Sequence, residues 1–280
     1  MRLAHVIEAV MHKPWAITSE GHRSIVWALE KKLSRGLIEA SDEDAKRVFS
    51  AERQGLFGPL ESMEIKGTTA FIPVHGILAR KVSMIEKSCG VVDYCDIEDD
   101  IEEAVNDPNV LSILLDIDSP GGTVNGLYEC FDKIKAASGL KPIIAFTEGQ
   151  MCSAAYYLAC GCTAIAASPS SSVGSIGCVL QALDDSKAYQ DAGLKMNTLR
   201  SDPLKAVGCP GDEITPDQIS YLQAIVDECA TRFKATVINQ RGLMSEDALD
   251  GRVFSADEAL AYSLIDLVAN EEDEALALIK

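Results

Sequence analysis

The sequence lacks paired metal-ligand motifs. Its nine cysteines include no C-x-x-C pair, and Cys160 and Cys162 are too close together to form a zinc knuckle. Histidine is also scarce: three of the four lie within the first 22 residues, and the last is His75. Several cysteines lie in largely apolar stretches, where a free thiol packs as a small hydrophobic group. We therefore predict a reducing compartment, with no disulfide framework, no metal and no cofactor.

A long apolar run and an excess of positive charge are missing as well. The longest apolar stretch, residues 151–167, is interrupted by polar residues and is too weak and short for a membrane span. The formal net charge is −18, and such a surface repels the nucleic-acid backbone and anionic lipid. We expect a soluble, cytoplasmic protein that binds no nucleic acid and has no membrane span.

The charge is distributed unevenly along the chain. Residues 1–60 contain nine Lys and Arg against eight Asp and Glu, whereas the remainder contains sixteen against thirty-five. Residues 18–35 have the spacing of an amphipathic helix, a second short helix is indicated from Ser41, and a Gly/Pro cluster follows. We predict a helical N-terminal segment over residues 1–60 and one larger domain over residues 61–280.

From residue 61 onward, strand-like and helix-like segments alternate, which predicts right-handed βαβ units and a mostly parallel sheet, and so an α/β fold. The predicted strands are Thr69–Val74, Leu111–Ile117, Pro142–Phe146, Thr163–Ala167, Lys195–Leu199 and Leu264–Val268. The predicted helices are Ile97–Val105, Val124–Ala137, one that begins near Ser153, and Pro216–Gln240.

A glycine-rich turn, Asp118–Gly122, follows one of the predicted buried strands. Two adjacent glycines, Gly121 and Gly122, let a second backbone approach closely, and their N–H groups can point at a carbonyl oxygen. A plain strand-to-helix turn explains the same residues.

Ser153 lies at the start of a predicted helix, just after a strand. There the N–H of Ala154 would lie beside the hydroxyl, in a position to share a negatively charged oxygen with the Gly-Gly turn. This arrangement fits a serine nucleophile. The commoner role of a serine at such a position is to cap the helix.

A serine hydroxyl needs a base to act as a nucleophile. No histidine follows Ser153, which disfavours a histidine triad but leaves it open, because other chain orders occur. A lysine can serve where burial lowers its pKa. Five lysines follow Ser153, and each is equally explained as a solvated surface residue: Lys187, Lys195, Lys205, Lys234 and Lys280.

In combination the motifs are more specific. The order and spacing of Pro120-Gly121-Gly122, of Met151–Ala159 and of Val173–Gly177 resemble those of the SppA-like serine peptidase family, over roughly residues 65–270. This family includes signal-peptide peptidases and phage capsid proteases. The resemblance implies a ClpP/crotonase-like spiral of ββα units, here with a helical N-terminal segment. It also implies a serine endopeptidase that acts on peptides or proteins and forms homo-oligomers.

The resemblance implies a role for each matching residue. Ser153 matches the nucleophile, Lys205 the base, and Ser175 the serine that orients the lysine. The oxyanion hole corresponds to Gly122 and Ala154, together with Gly121. An extended substrate would pair as a strand beside segments that contain Thr123, Val124, Gly174, Ile176 and Gly177.

The chain departs from the usual family pattern at two places. Asp202 stands in the lysine loop where a glycine is usual, and Ala154-Ala155 replaces the Gly-Gly pair of cellular members. The second change keeps the backbone N–H groups but requires that neither alanine adopts a positive φ. Small apolar residues near Ser153 favour a small hydrophobic primary pocket.

The leader around Pro14–Thr18 looks like the start of phage head proteases. We therefore hypothesise a head-maturation protease that cleaves scaffold or portal proteins in the host cytoplasm or prohead. Three alternatives stay open: a soluble housekeeping peptidase of the signal-peptide-peptidase type, a crotonase-like acyl-CoA enzyme, and an inactive assembly protein.

Overall fold

The structure is a computed structural model that describes residues 14–19, 21, 62–87, 90–242 and 247–279. Within them the strands are β1 Trp15–Ile17, β2 Glu64–Lys66, β3 Thr69–His75, β4 Ile77–Ala79, β5 Val91–Asp93, β6 Ser112–Asp118, β7 Gly121–Thr123, β8 Ile143–Thr147, β9 Gln150–Cys152, β10 Ala164–Ala167, β11 Ser172–Gly174, β12 Val253–Ser255 and β13 Leu267–Val268.

The described residues also contain eight α-helices. They are α1 Met84–Lys87, α2 Tyr94–Asn106, α3 Leu127–Ser138, α4 Ala154–Ala159, α5 Ser186–Asp191, α6 Pro216–Arg241, α7 Ala256–Ala261 and α8 Glu272–Leu276, with 3-10 turns at Pro203–Ala206 and Ala277–Ile279. In the described part of the chain, no helix is both long and apolar enough to cross a membrane.

The main sheet has six strands in the order β13-β10-β8-β6-β3-β2. Strands β3, β6, β8, β10 and β13 are parallel, and β2 joins the edge antiparallel. Four of the predicted strand runs supply the inner strands β3, β6, β8 and β10, as expected for strands that are covered on both faces.

Both faces of this sheet are buried. Along β6, Ile113 and Leu115 contribute to the larger hydrophobic core, whereas Leu114 between them belongs to a second cluster on the opposite face. Ala275 and Leu276 of α8 belong to that second cluster. The two-residue alternation of side chains along a strand accounts for this division.

The chain advances by ββα units. In β6–β7–α3 and in β8–β9–α4, the first strand lies in the main sheet and the second leaves it for a smaller sheet. Those smaller sheets have the orders β1-β7-β4-β5 and β12-β11-β9. Successive units add β3, β6, β8 and β10 side by side, which confirms the predicted α/β spiral of ββα units. The second strands of these two units, β7 and β9, lie near one another, and the candidate site lies where they meet.

Most predicted elements of the larger domain are confirmed within a few residues. The strand predicted at Lys195–Leu199 is wrong: this run is almost wholly exposed and pairs with no strand in the described part of the chain, so its strand-forming residues have no ladder to join. The short second strands of each unit were missed. The helix predicted from Ser41, and nearly all of that predicted over residues 18–35, lie outside the described residues.

Candidate active site

Ser153 lies between β9 and α4 in an uncommon backbone conformation, with φ 53° and ψ −117°. A non-glycine residue in such a conformation stores roughly 1–3 kcal/mol of strain, which the surrounding structure must hold. Its N–H donates to the carbonyl of Gly174 at 2.7 Å. Its hydroxyl makes one long contact, at 3.5 Å, with the carbonyl of Gly177, and the residue is fully buried.

The helix-cap interpretation of Ser153 is wrong. Ser153 occupies the N-cap position of α4, yet its side chain accepts no hydrogen bond from the first turn. An N-cap serine normally takes an extended conformation and accepts a bond from the second or third residue of the helix. The hydroxyl of Ser153 is therefore held away from the helix that it precedes.

The turn Ser119–Gly122 is fastened beside Ser153 by backbone hydrogen bonds to β9. Ser119 donates to the carbonyl of Gln150 at 2.7 Å and accepts from the N–H of Cys152 at 3.1 Å. The buried hydroxyl of Ser119 also accepts from the N–H of Gly121 at 3.2 Å. This bond occupies the Gly121 donor and leaves that of Gly122.

Glycine is required at both positions of the Gly-Gly pair. Gly121 has φ 109°, and a Cβ there would collide with the carbonyl oxygen of Ala16 and lie 2.9 Å from the Cβ of Ser153. A Cβ on Gly122 would collide with the carbonyl of Leu78 on β4. The backbone of β1 therefore lies against Gly121, and the backbone of β4 lies against Gly122.

Strand β11 brings Ser175 to the same place. Gly174 pairs with Cys152, the residue before Ser153. Ser175 follows with φ 54°, is buried, and donates its N–H to the carbonyl of Arg252 at 2.7 Å. Within the described residues its hydroxyl has no hydrogen bond, so it has capacity to bind another group.

The other predicted site residues have different environments. Ala154 begins α4, so neither alanine of the Ala154-Ala155 pair needs a positive φ. Thr123 accepts from the hydroxyl of Tyr94 at 2.8 Å. Val124 is buried, and Ile176 contributes its whole side chain to the core.

Lys205 is exposed on the 3-10 turn Pro203–Ala206, whereas Ser153 is buried. Buried Gln218 holds this turn through its side-chain N–H, which donates to the carbonyl of Pro203 at 3.2 Å. Ala206 is buried next to the lysine. Among the described residues, no hydrogen bond or ion pair joins the Lys205 amine to another group. The glycines, Ser153 and Ser175 thus come together, and within the described residues no hydrogen bond or ion pair joins Lys205 to them.

The residue before the serine does not compete with it as a nucleophile. Burial raises the pKa of the Cys152 thiol to about 12, and its sulfur lies 3.5 Å from the carbonyl of Ser172. Because the thiolate is the reactive form of cysteine, this thiol is unreactive near neutral pH.

Strand β1 is the feature of the site that the sequence interpretation missed. Trp15–Ile17 lies antiparallel to β7, with Ala16 opposite Gly122 and Ile17 opposite Gly121. It occupies the side of β7 where the pairing of an extended substrate was predicted. The sequence signal for β1 was a short run of strand-forming residues between Pro14 and Thr18. Ser119 was also missed, because its sequence neighbours predict an ordinary turn.

These features define an α/β protein with a buried serine beside a Gly-Gly turn. A family model described as peptidase family S49 matches residues 135–280, and the chain belongs to that family.

The chain is similar to several curated proteins. It is 29% identical to "Capsid assembly protease C" of Escherichia phage lambda over 76% of this chain and 49% of that protein. It is 32% identical to "Putative protease slr0021" of Synechocystis over 61% and 63%, and 26% identical to "Head-tail preconnector protein GP5" of Enterobacteria phage P21 over 97% and 56%. The chain thus spans about half to under two thirds of the length of these relatives.

Two solved structures are similar at lower identity. One is a membrane-bound stomatin-specific protease in complex with a substrate peptide, at 20% identity and a TM-score of 0.41 over 76% of this chain and 80% of that one. The other is an enoyl-CoA hydratase/isomerase family member, at 16% identity and a TM-score of 0.45 over 78% and 73%. Membership of the family rests on the sequence match.

Proposed function

We propose that the chain is a serine endopeptidase in which Ser153 is the nucleophile and Lys205 the base. The observation that carries this proposal is the conformation of Ser153, which is strained, buried, and not used to cap α4. Strained non-glycine conformations cluster at active sites, where the strain holds a reactive group in place before the substrate binds. Residues 61–280 would form the peptidase domain, to which the N-terminal segment contributes β1.

The reaction follows from the groups around Ser153. Neutral Lys205 removes the hydroxyl proton while the oxygen attacks a peptide carbonyl carbon. The N–H groups of Gly122 and Ala154 stabilise the negative charge on the carbonyl oxygen. The lysine then passes the proton to the leaving amine, and water hydrolyses the ester on Ser153. The unbonded hydroxyl of Ser175 would orient the lysine amine.

A lysine such as Lys205 acts as a base in its neutral form, and desolvation favours that form. The segment around it carries exposed apolar side chains: Leu183, Leu194, Met196, Leu199 and Leu204. Solvent-exposed clusters of this kind are characteristic of association surfaces. We therefore propose that copies of the chain associate through residues 183–204, which would bury this segment and bring Lys205 into a drier environment.

The proposed substrates are the scaffold or portal proteins of a phage head. Two similar proteins support this choice, one named as a capsid assembly protease and the other as a head-tail preconnector protein. Co-expression with candidate head proteins, followed by mass spectrometry of the products, tests it. An active peptidase that leaves all of them intact would favour the housekeeping alternative.

The Ser/Lys mechanism is tested by a pair of lysine variants. Lys205→Ala should lower the rate of casein cleavage by about 100-fold or more, which is typical for loss of a general base. Lys195→Ala removes another exposed lysine of the same segment and should leave the rate unchanged.

A serine-directed fluorophosphonate provides the second readout. It should label the parent chain and not Ser153→Gly, a substitution that suits the positive φ of this position. Equal casein cleavage by Lys205→Ala and the parent would contradict the lysine base. Absence of both labelling and cleavage in the parent would favour an inactive assembly protein.

A further inference from the structure

Strand β1 is held on both edges, as a bound peptide would be. On one edge it pairs with β7 over Trp15–Ile17. On the other edge Trp15 exchanges two backbone hydrogen bonds with Val179, each of 2.8 Å. Trp15, Ala16, Ile17 and Thr18 are all buried. A segment from the beginning of the chain therefore fills the groove between β7 and Val179, which lies next to Ser153.

The hydrogen-bond pattern fixes which carbonyl faces the Gly-Gly turn. Thr18 donates to the carbonyl of Pro120 at 2.9 Å, and Val124 donates to that of Pro14 at 3.4 Å. Hydrogen-bonded pairs alternate along an antiparallel ladder, so the pair between these two, Ala16 and Gly122, is also hydrogen-bonded. The N–H of Gly122 thus faces the carbonyl oxygen of Ala16.

The same carbonyl lies beside the nucleophile. A Cβ built on Gly121 would be 2.9 Å from the Cβ of Ser153, 2.9 Å from the Cα of Ile17, and in collision with the carbonyl oxygen of Ala16. These three atoms surround one point. Ala16 lies opposite Gly122, and Ile17 lies opposite Gly121. The peptide bond that joins Ala16 to Ile17 therefore lies opposite the Gly-Gly pair, next to Ser153.

We infer that the Ala16–Ile17 peptide bond is a self-cleavage site of this chain, presented to Ser153 by residues 14–18 as an internal peptide substrate. This inference rests on the proposed function and specifies its first substrate. Ala16 is the residue on the acyl side of the bond, and it is wholly enclosed. The groove accordingly selects a small apolar residue at this position.

The cleavage step balances without a further reactant except water. The Ser153 oxygen bonds to the carbonyl carbon of Ala16, and the bond from that carbon to the nitrogen of Ile17 breaks. The proton from the hydroxyl passes through the base to the Ile17 nitrogen, which becomes a new amino terminus. Water then hydrolyses the ester and releases residues 1–16.

The test follows the intact mass and N-terminal sequence of the purified full chain over time. The parent should lose residues 1–16 and begin at Ile17, whereas Ser153→Ala and Ser153→Gly should keep their N-termini. The test uses both Ser153 variants so that it stays valid if one of them fails to fold. The glycine variant relieves the strain of the positive φ. Labelling by the fluorophosphonate should rise as the shortened chain accumulates, because the groove is then empty.

A matched pair at Ile17 tests the position of the cut. Ile17→Pro places a tertiary amide at the bond and should abolish the shortening, whereas Ile17→Val keeps a β-branched apolar residue and should leave it unchanged.

The outcomes separate this inference from the proposed function. A parent chain that cleaves casein but keeps residues 1–16 overturns the inference and leaves the peptidase intact. The same shortening in both Ser153 variants identifies a foreign protease and also overturns it. A parent that neither shortens nor cleaves casein removes the proposed function, and the inference with it.

Discussion

Two serines at the site share a positive φ, which non-glycine residues seldom adopt. Ser153 and Ser175 have φ 53° and 54°, and each is held by an N–H donated to a neighbouring carbonyl, that of Gly174 or Arg252. Strain of this kind sets the backbone of both residues before any substrate arrives, which is its usual value at a site. Because it arises from contacts between distant segments, no local sequence pattern could reveal it.

The identity of the candidate site residues was more predictable than their conformations. Ser153 and the Gly-Gly pair stand in motifs of fixed order, so the sequence alone suggested them. The exposure of Lys205 was not predictable, because a base that needs desolvation was expected to be buried. Its assignment as the base stays a prediction.

Gly122 gives a prediction at this scale. Gly122→Ala should lower casein cleavage by about 100-fold or more, because a Cβ would collide with the Leu78 carbonyl and push the N–H donor out of position. Gly139→Ala is the control, since its Cβ would lie 3.4 Å from the nearest atom, the Ala136 carbonyl oxygen, at a negative φ. Equal rates for the two variants would contradict the role of Gly122.

At the scale of elements, the length of a strand or helix determined whether the sequence could predict it. The inner strands β6 and β8 and the helix α6 are long enough for hydrophobic periodicity to identify them. The strands β7, β9 and β11 have three residues each, and their pairing depends on chain segments far away in sequence. These short strands nevertheless carry the site.

Helix α2 carries many acidic residues, and the pKa of one of its carboxyl groups, that of Asp100, is changed by them. Burial, together with the charges of Asp96, Glu103 and Asp99, raises the pKa of Asp100 to about 6. The folded chain therefore binds this proton more tightly than the unfolded chain does. Between about pH 4 and pH 6 the stability contributed by Asp100 falls as pH rises, and above that range the loss is complete.

Asp100→Asn should consequently raise the melting temperature above pH 6, and this gain should disappear as the pH falls to about 4. Thermal unfolding followed across this pH range measures the effect. Asp132→Asn, at an exposed position of α3, controls for the removal of one negative charge from an acidic protein. A gain that does not depend on pH would contradict the assignment to Asp100.

At the scale of the whole molecule, the segment just before Lys205 exposes several apolar side chains. Leu199 is 97% exposed, and four further apolar side chains of residues 183–204 are exposed with it. An isolated chain would gain nothing from this arrangement, whereas an assembly would bury it. The sequence predicted association only through the family resemblance, because surface position depends on the complete fold.

Leu199→Asp should therefore shift the mass measured by light scattering from an oligomer towards the single chain, and should lower casein cleavage in parallel. The control is Leu140→Asp, which changes a leucine that is 74% exposed on the turn between α3 and β8. A single-chain mass for the parent, or an equal effect of both substitutions, would contradict association through residues 183–204.

The position of strand β1 has a kinetic consequence. A peptide joined to the same chain is present at its groove at an effective concentration on the order of millimolar, however dilute the protein is. Any outside peptide must outcompete this resident strand, so weak encounters with other proteins would leave them uncut. Once copies have associated and Lys205 is desolvated, removal of the strand within each chain would need no further encounter. The delay before the groove opens would then be set first by assembly and afterwards by the fold.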